Sequence, residues 1–220
     1  MTAKELINNQ LPTLKTSDTG ADALQLMNEL KVSHLPIVNN KNFLGVISEK
    51  DIFEFNNFKE AIGDHPLSLN RAFVNEWQHL FEVIKTVDEN KLTLIPVLDK
   101  HGNYSGSIIT SELVFALSRL LQLDKPGALL LLEMSINDYS LTEIANIIES
   151  NNAKILAAAV INKPESSRID LVIKINTIEI NSIQKTFERY GYELKAVYEK
   201  QYDDDGLKER YDMLMKYLDV

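Results

Sequence analysis

Ser48 and Asp51 stand three residues apart where an apolar run, Phe43 to Ile47, gives way to a new helical pattern. At such a strand-to-helix turn both side chains can face one ligand. An ionised aspartate accepts two hydrogen bonds from a diol, and a serine hydroxyl donates or accepts as required. A helix N-terminus adds amide donors and a partial positive charge. The same two residue types also make an N-cap and a first-turn acid, so the pair reads equally well as a helix start.

The other constellations exclude more than they suggest. His34, His65, His79 and His101 have no metal-ligand spacing with one another or with carboxylates, so no structural metal is expected. Gly102-Asn103-Tyr104-Ser105-Gly106 has its serine in the wrong place for a nucleophile elbow and sits in a hairpin-like turn. Asp203-Asp204-Asp205-Gly206 lacks the alternating acids and distal glutamate of a calcium loop. No phosphate loop or dinucleotide glycine fingerprint occurs. With no nucleophile and base set, the chain is expected to be non-enzymatic, with no catalytic residue and no required cofactor. Trp77, with Phe73 and Phe81, leaves two readings: a wall for base stacking or a stripe packed in the core.

The chain has 220 residues, room for two compact units or three small ones. Its net charge of -9, from 32 acidic and 23 basic side chains, shows no basic patch, so nucleic acid is not an expected partner. Without cysteine the fold uses no disulfide or thiolate, and the cytoplasm is the expected compartment. Met1 to Asn8 has no apolar core of a signal peptide; Thr2 and Glu5 read as a capping box. Apolar runs such as Ile155 to Ile161 are too short to span a bilayer, which takes about twenty residues.

The elements that position Ser48 and Asp51 occur twice. Asp22 to Val38 superposes on Glu82 to Leu98 without gaps at an offset of 60, with Glu29 on Glu89, Lys31 on Lys91 and Pro36 on Pro96. One extra residue then shifts the offset to 61, where Gly45 meets Gly106 and Asp51 meets Glu112. Each copy reads as an extended piece, an amphipathic helix, two short strands and a closing helix, a β-α-β-β-α unit. A unit so small buries little surface alone, so the copies are expected to pack together over residues 1–60 and 61–123.

Asp124-Lys125-Pro126-Gly127 breaks the pattern. Beyond it, over 127–200, strand-like Ala128 to Ile136, helical spacing at Leu141, Ile144, Ala145 and Ile148, strands at 154–161 and 169–175, helical spacing at Ile180, Ile183, Phe187 and Tyr190 and a last strand at 192–198 give β-α-β-β-α-β. That order is ferredoxin-like, so the expected fold class is α+β. Leu207, Tyr211, Leu214 and Leu218 form an apolar stripe on an expected helix within 201–220.

The repeat resembles the CBS domain. The first copy carries the apolar-Pro-apolar strand, Leu35-Pro36-Ile37-Val38, and the full Gly45-Val46-Ile47-Ser48-Glu49-Lys50-Asp51 motif. In the second copy, Ile109 stands at the hydroxyl position, Thr110 comes one place late and Glu112 replaces the aspartate. The last part resembles an ACT domain, although its first strand-to-helix loop, Asn137-Asp138-Tyr139-Ser140, lacks a glycine. The whole order is similar to the acetoin utilisation protein AcuB family. The resemblance implies a regulatory module, a tandem CBS pair followed by an ACT-like domain, binding AMP, ADP, ATP or S-adenosylmethionine in the cleft of the pair. It also implies a homodimer acting on a downstream protein. Asp51 and Ser48 would hold ribose hydroxyls, His34 would approach phosphate partly charged, and Thr13 would meet the base edge; Thr110 and Glu112 are the second copy's counterparts. For His34 an ordinary partly buried histidine, and for Thr110 and Glu112 simple helix capping, are the competing readings. The alternative function is a structural or partner-binding protein with no small-molecule ligand.

Overall fold

The computed structural model describes residues 1–8, 10–65 and 70–198. The chain divides into two compact units, Met1–Leu117 and Ser118–Val220. The first opens with a single turn, α1 (Ala3–Leu6), where the Glu5 carboxylate accepts the Thr2 hydroxyl at 3.0 Å. The longer α2 (Gly20–Leu30) follows. Its N-cap Thr19 accepts the Asp22 amide at 3.1 Å, and Asp22 takes the Thr19 amide and hydroxyl in return. This reciprocal cap satisfies donors that a helix start leaves bare. The helix buries Ala23 and Met27 and ends at Lys31, whose φ of 56° is left-handed. Val32 then closes on the Met27 carbonyl at 3.0 Å.

β1 (His34–Asn39) and β2 (Asn42–Ser48) form an antiparallel hairpin, and α3 (Glu49–Phe53) closes the repeat. The second repeat follows the same course through β3 (Val74–Asn75), α4 (Leu80–Asn90), β4 (Leu94–Leu98), β5 (Tyr104–Ile109) and α5 (Thr110–Leu120). The correspondence reaches fine detail. Leu14 lies parallel beside Ile37 as Val74 lies parallel beside Val97. The hairpins shift register at Ile37/Val38 and at Val97/Leu98, and α4 also ends on a left-handed lysine, Lys91 at φ 51°.

The repeats exchange their leading segments. Ala3 donates to the Gln78 carbonyl at 2.9 Å, Leu80 to that of Met1 at 3.1 Å and Asn8 to that of Ser107 at 3.0 Å. Reciprocally, Ile62 donates to the Asp18 carbonyl, Gly63 to that of Thr16 and Val46 to that of Asn70, each at 2.8 Å. Leu94 of the second repeat is buried in the same cluster as Leu14, Met27, Leu35, Ile37, Ile47 and Ile52 of the first. Each unit alone has too little apolar surface, and the shared core answers that deficit.

The core reading of the aromatic stripe fails. Trp77 is 61% exposed, and Phe73 and Phe81 also reach solvent. The reason is helical phase: α4 turns Leu80, Val83 and Val87 inward, which leaves Phe81 on the outer side. Trp77 precedes the cap of that helix.

The second unit holds β6 (Leu129–Ser135), α6 (Leu141–Ser150), β7 (Ile155–Asn162), β8 (Arg168–Ile175), α7 (Asn181–Arg189) and β9 (Glu193–Tyr198). Its sheet order is β7-β8-β6-β9 with every pair antiparallel, the ferredoxin-like arrangement expected from the element order. Alternation along β6 turns Leu130, Leu132 and Met134 inward, where Ile144, Ile147 and Ile148 of α6 and Ile183 and Phe187 of α7 cover them. Gly127 enters this sheet at φ 140°, against the Ile175 carbonyl, and its own carbonyl accepts the buried Lys174 Nζ at 2.8 Å. The chain is thus α+β, a tandem repeat followed by a separate sheet domain. The expected helix within 201–220 and the Asp203–Gly206 turn lie outside the described residues.

Candidate functional site

Antiparallel pairing sets His34, the first residue of β1, opposite Ser48, the last of β2. α3 starts one residue later, so Asp51 is carried to the same end of the hairpin. Asp51 Oδ2 accepts the Ser48 amide at 2.8 Å and the Ser48 hydroxyl at 2.7 Å, while Ser48 Oγ accepts the Asp51 amide at 3.1 Å. Of the two readings of this pair, the capping one is realised in full. Thr19 with Asp22 makes the same box, so the motif alone does not mark a ligand site. What remains for a ligand is Asp51 Oδ1, which the box does not use.

The helix start offers less than the sequence suggests. α3 has only five residues, its Glu49 amide is given to the Ser33 carbonyl at 2.9 Å, and its Asp51 amide to Ser48. A helix barely over one turn long also sums few peptide dipoles.

His34 is half-buried. Its Nδ1 accepts the Thr93 amide at 3.3 Å and lies 3.1 Å from the Thr93 hydroxyl, which itself accepts the Ser33 amide at 2.9 Å. Burial holds the His34 pKa below its ordinary 6.5, and the Asp51 carboxylate opposes the shift. Burial thus favours the neutral ring over the imidazolium that a phosphate contact would use. Thr93 escaped the sequence reading. Its signal was its place: it is the repeat counterpart of Ser33, each a hydroxyl residue just before the strand.

Thr13 is half-buried in the extended segment beside β1. Its neighbour Leu14 donates to the Pro36 carbonyl at 2.9 Å and accepts from Val38 at 2.7 Å, which sets Thr13 abreast of Pro36, two positions along the strand from His34. In the second repeat the places of His34 and Ser48 are taken by Leu94 and Ile109, paired in the same register. The Thr110 hydroxyl is given to the Leu92 carbonyl at 2.9 Å, and Glu112 is exposed in the first turn of α5. The structure brings His34, Ser48 and Asp51 together in one polar cluster and puts hydrocarbon at the second repeat's counterparts of His34 and Ser48.

A concavity of about 510 Å³ lies in the sheet unit between the loop after β6 and the start of β9, lined by Glu133, Asp138, Glu143, Arg168 and Tyr192 among others. The Tyr192 hydroxyl donates to Glu143 Oε2 at 2.5 Å, and its pKa is pushed up to about 12 by burial first and then by that carboxylate. Arg168 Nε is already given to Glu133 at 2.7 Å. The lining is acidic and internally paired. Ser105, the serine of the glycine-flanked turn, lies in β5 and donates to Glu76. Among the described residues no group of three or more His, Asp or Glu is arranged to hold a metal ion, and no helix is long and apolar enough to cross a membrane.

Residues 3–56 match the CBS domain family, a span that contains Thr13, His34, Ser48 and Asp51 but not Thr110 or Glu112. A homoserine O-acetyltransferase of Methanosphaera stadtmanae is 26% identical over 111 residues, 50% of this chain and 23% of that protein, so the chain spans about a quarter of that relative's length. Similar solved structures include a CBS domain pair/ACT domain protein from Thermotoga maritima, 19% identical, covering 54% of this chain and 98% of that one with a TM-score of 0.49. CBSX2 in complex with AMP is 25% identical, covering 56% and 98% with a TM-score of 0.47. A protein assigned to acetoin utilisation, AcuB of Vibrio cholerae, is 25% identical, covering 56% and 95% with a TM-score of 0.47.

Proposed function

We propose that this chain, whose residues 3–56 match the CBS domain, is a non-enzymatic regulatory protein of the cytoplasm that senses an adenine nucleotide or adenosyl compound. In this reading residues 1–123 form the ligand module and 127–200 an ACT-like domain that passes the signal on. The observation that carries it is the convergence of His34, Ser48 and Asp51 at one end of a hairpin, with Leu94 and Ile109 at the equivalent places of the second repeat. A duplication in which only the first copy keeps the histidine and the strand-end serine fits a single ligand position per chain. Asp51 Oδ1 accepts from a ribose hydroxyl, Ser48 supports it, His34 offers Nε2 to the ligand, and Thr13 contributes from the neighbouring strand. Thr110 and Glu112 keep only a peripheral part.

AMP, ADP, ATP and S-adenosylmethionine are the probes, because a ligand that binds the folded state raises its melting temperature by mass action. A shift with one of them that Asp51→Ala abolishes is the expected result; a shift undiminished in Asp51→Ala overturns the residue assignment.

A second reading, assembly without a small ligand, has its own support. Phe53 on α3 is 60% exposed, and its repeat counterpart Val114, with Phe115 beside it on α5, is 64% exposed. Apolar side chains at equivalent places of both repeats suit contact with a second copy. Light scattering decides the dimer: a monomer at micromolar concentration removes it. No shift with any nucleotide, together with a stable dimer, favours assembly over sensing.

A further inference from the structure

His34 Nδ1 receives two donors from one residue of the other repeat. The Thr93 amide points at it from 3.3 Å. The Thr93 hydroxyl accepts the Ser33 amide at 2.9 Å, which leaves its own proton for Nδ1 at 3.1 Å. A ring nitrogen that faces two donors is an acceptor, so the single proton of the neutral imidazole lies on Nε2. A proton on Nδ1 would meet the fixed Thr93 N–H head-on, even with the hydroxyl proton turned away.

We propose that Thr93 is a positioning residue for the first repeat's site: it fixes His34 as the Nε2–H tautomer, so that the ring turns a donor without a full positive charge toward a ligand. The groups around His34 pull in opposite directions. Asp51, at the start of α3, favours the imidazolium; Ser48, opposite on β2, is uncharged and committed to its cap; Thr93, just before β4, and partial burial favour the neutral ring. Burial is the larger influence, and Thr93 adds to it by occupying the atom that would have to take the second proton. The first site is thereby completed by the second repeat, across 59 residues of sequence. In its last step the inference rests on the ligand reading given above. A phosphate drawn to Nε2 stabilises the imidazolium, so binding takes up a proton and tightens as pH falls.

The clamp is tested without any ligand. The full chain is labelled with ¹⁵N in its imidazoles, the His34 signals are assigned by their loss in His34→Gln, and tautomer and pKa are followed by NMR. The expected result is an Nε2–H ring with a depressed pKa, a raised pKa in Thr93→Val and restoration in Thr93→Ser. An Nδ1–H tautomer or an imidazolium at neutral pH in the unmodified chain overturns the proposal, as does a Thr93→Val titration that coincides with it. AMP affinity against pH then tests the link to binding. The profile is expected to rise toward low pH, with its midpoint moved to higher pH in Thr93→Val. No AMP binding by the unmodified chain at any pH defeats the ligand reading, while the NMR result still decides the clamp.

Discussion

At the residue scale, Ser48 and Asp51 serve local structure first, and their variants separate capping from binding. Ser48→Ala removes the hydroxyl that accepts the Asp51 amide and is expected to cost about 1 kcal/mol in urea unfolding. His34 gives a pH signature with a definite sign. Its folded pKa lies below 6.5, so between those two values the unfolded chain binds the extra proton. Its contribution to stability is fully present above about pH 6.5 and falls as pH drops toward the folded pKa. Urea midpoints measured from about pH 7.5 to about pH 5 should decline more steeply for the natural chain than for His34→Gln. Equal slopes would mean that His34 titrates alike in both states. His34, Ser48 and Asp51 were legible in the sequence because a motif carries them at short spacing. Thr93 was not, because what it touches follows from how two repeats meet, which no local spacing records.

At the element scale, periodicity read correctly wherever burial is one-sided. The helical spacing of Ile144 and Ile148 became a buried face, while Leu141, read in the same spacing, is 47% exposed at the first position of the helix. Two features escaped for physical reasons. The N-terminal turn packs against the second repeat, because the pairing of Ala3 with Gln78 and of Asn8 with Ser107 is long-range backbone hydrogen bonding, indifferent to side-chain pattern. Trp77 looked like core by its size, but it stands outside the helical phase that selects Leu80 and Val83. The ends of the two long helices give a paired test. Lys31 and Lys91 sit in left-handed backbone, which costs a side chain about 1 kcal/mol that glycine avoids. Lys91→Gly is therefore expected to leave stability unchanged or raise it slightly, since the exposed ion pair with Asp88 contributes little. Gly127→Ala has the opposite sign. A Cβ there runs into the Ile175 carbonyl, and the backbone must shift in the strand that carries Leu130 and Leu132. Thermal unfolding should show a loss well beyond the roughly 1 kcal/mol of an ordinary backbone strain.

At the scale of the whole molecule, the sensor and assembly readings differ in how far a ligand's effect travels. The first unit has a core shared between its repeats, with Leu94 buried among residues of the first. The second has its own, built from Leu130, Leu132, Ile144, Ile183 and Phe187. Binding at His34 and Asp51 stabilises the elements that hold them, so amides of β1, β2, α3 and the segment before β4 should exchange more slowly when AMP is added. A ligand alters a second domain only if it has different affinity for two states of the first, and the change must then be visible in that domain's own opening. Hydrogen exchange followed by mass spectrometry on the full chain reads both at once. Slower exchange confined to residues 34–53 and 91–94 would describe a site that binds without signalling. Protection that also changes along β6 to β9, and is lost in Asp51→Ala, is the outcome expected of a sensor, because the sheet unit contributes none of the residues proposed to touch the ligand and can respond only through the equilibrium that the ligand shifts.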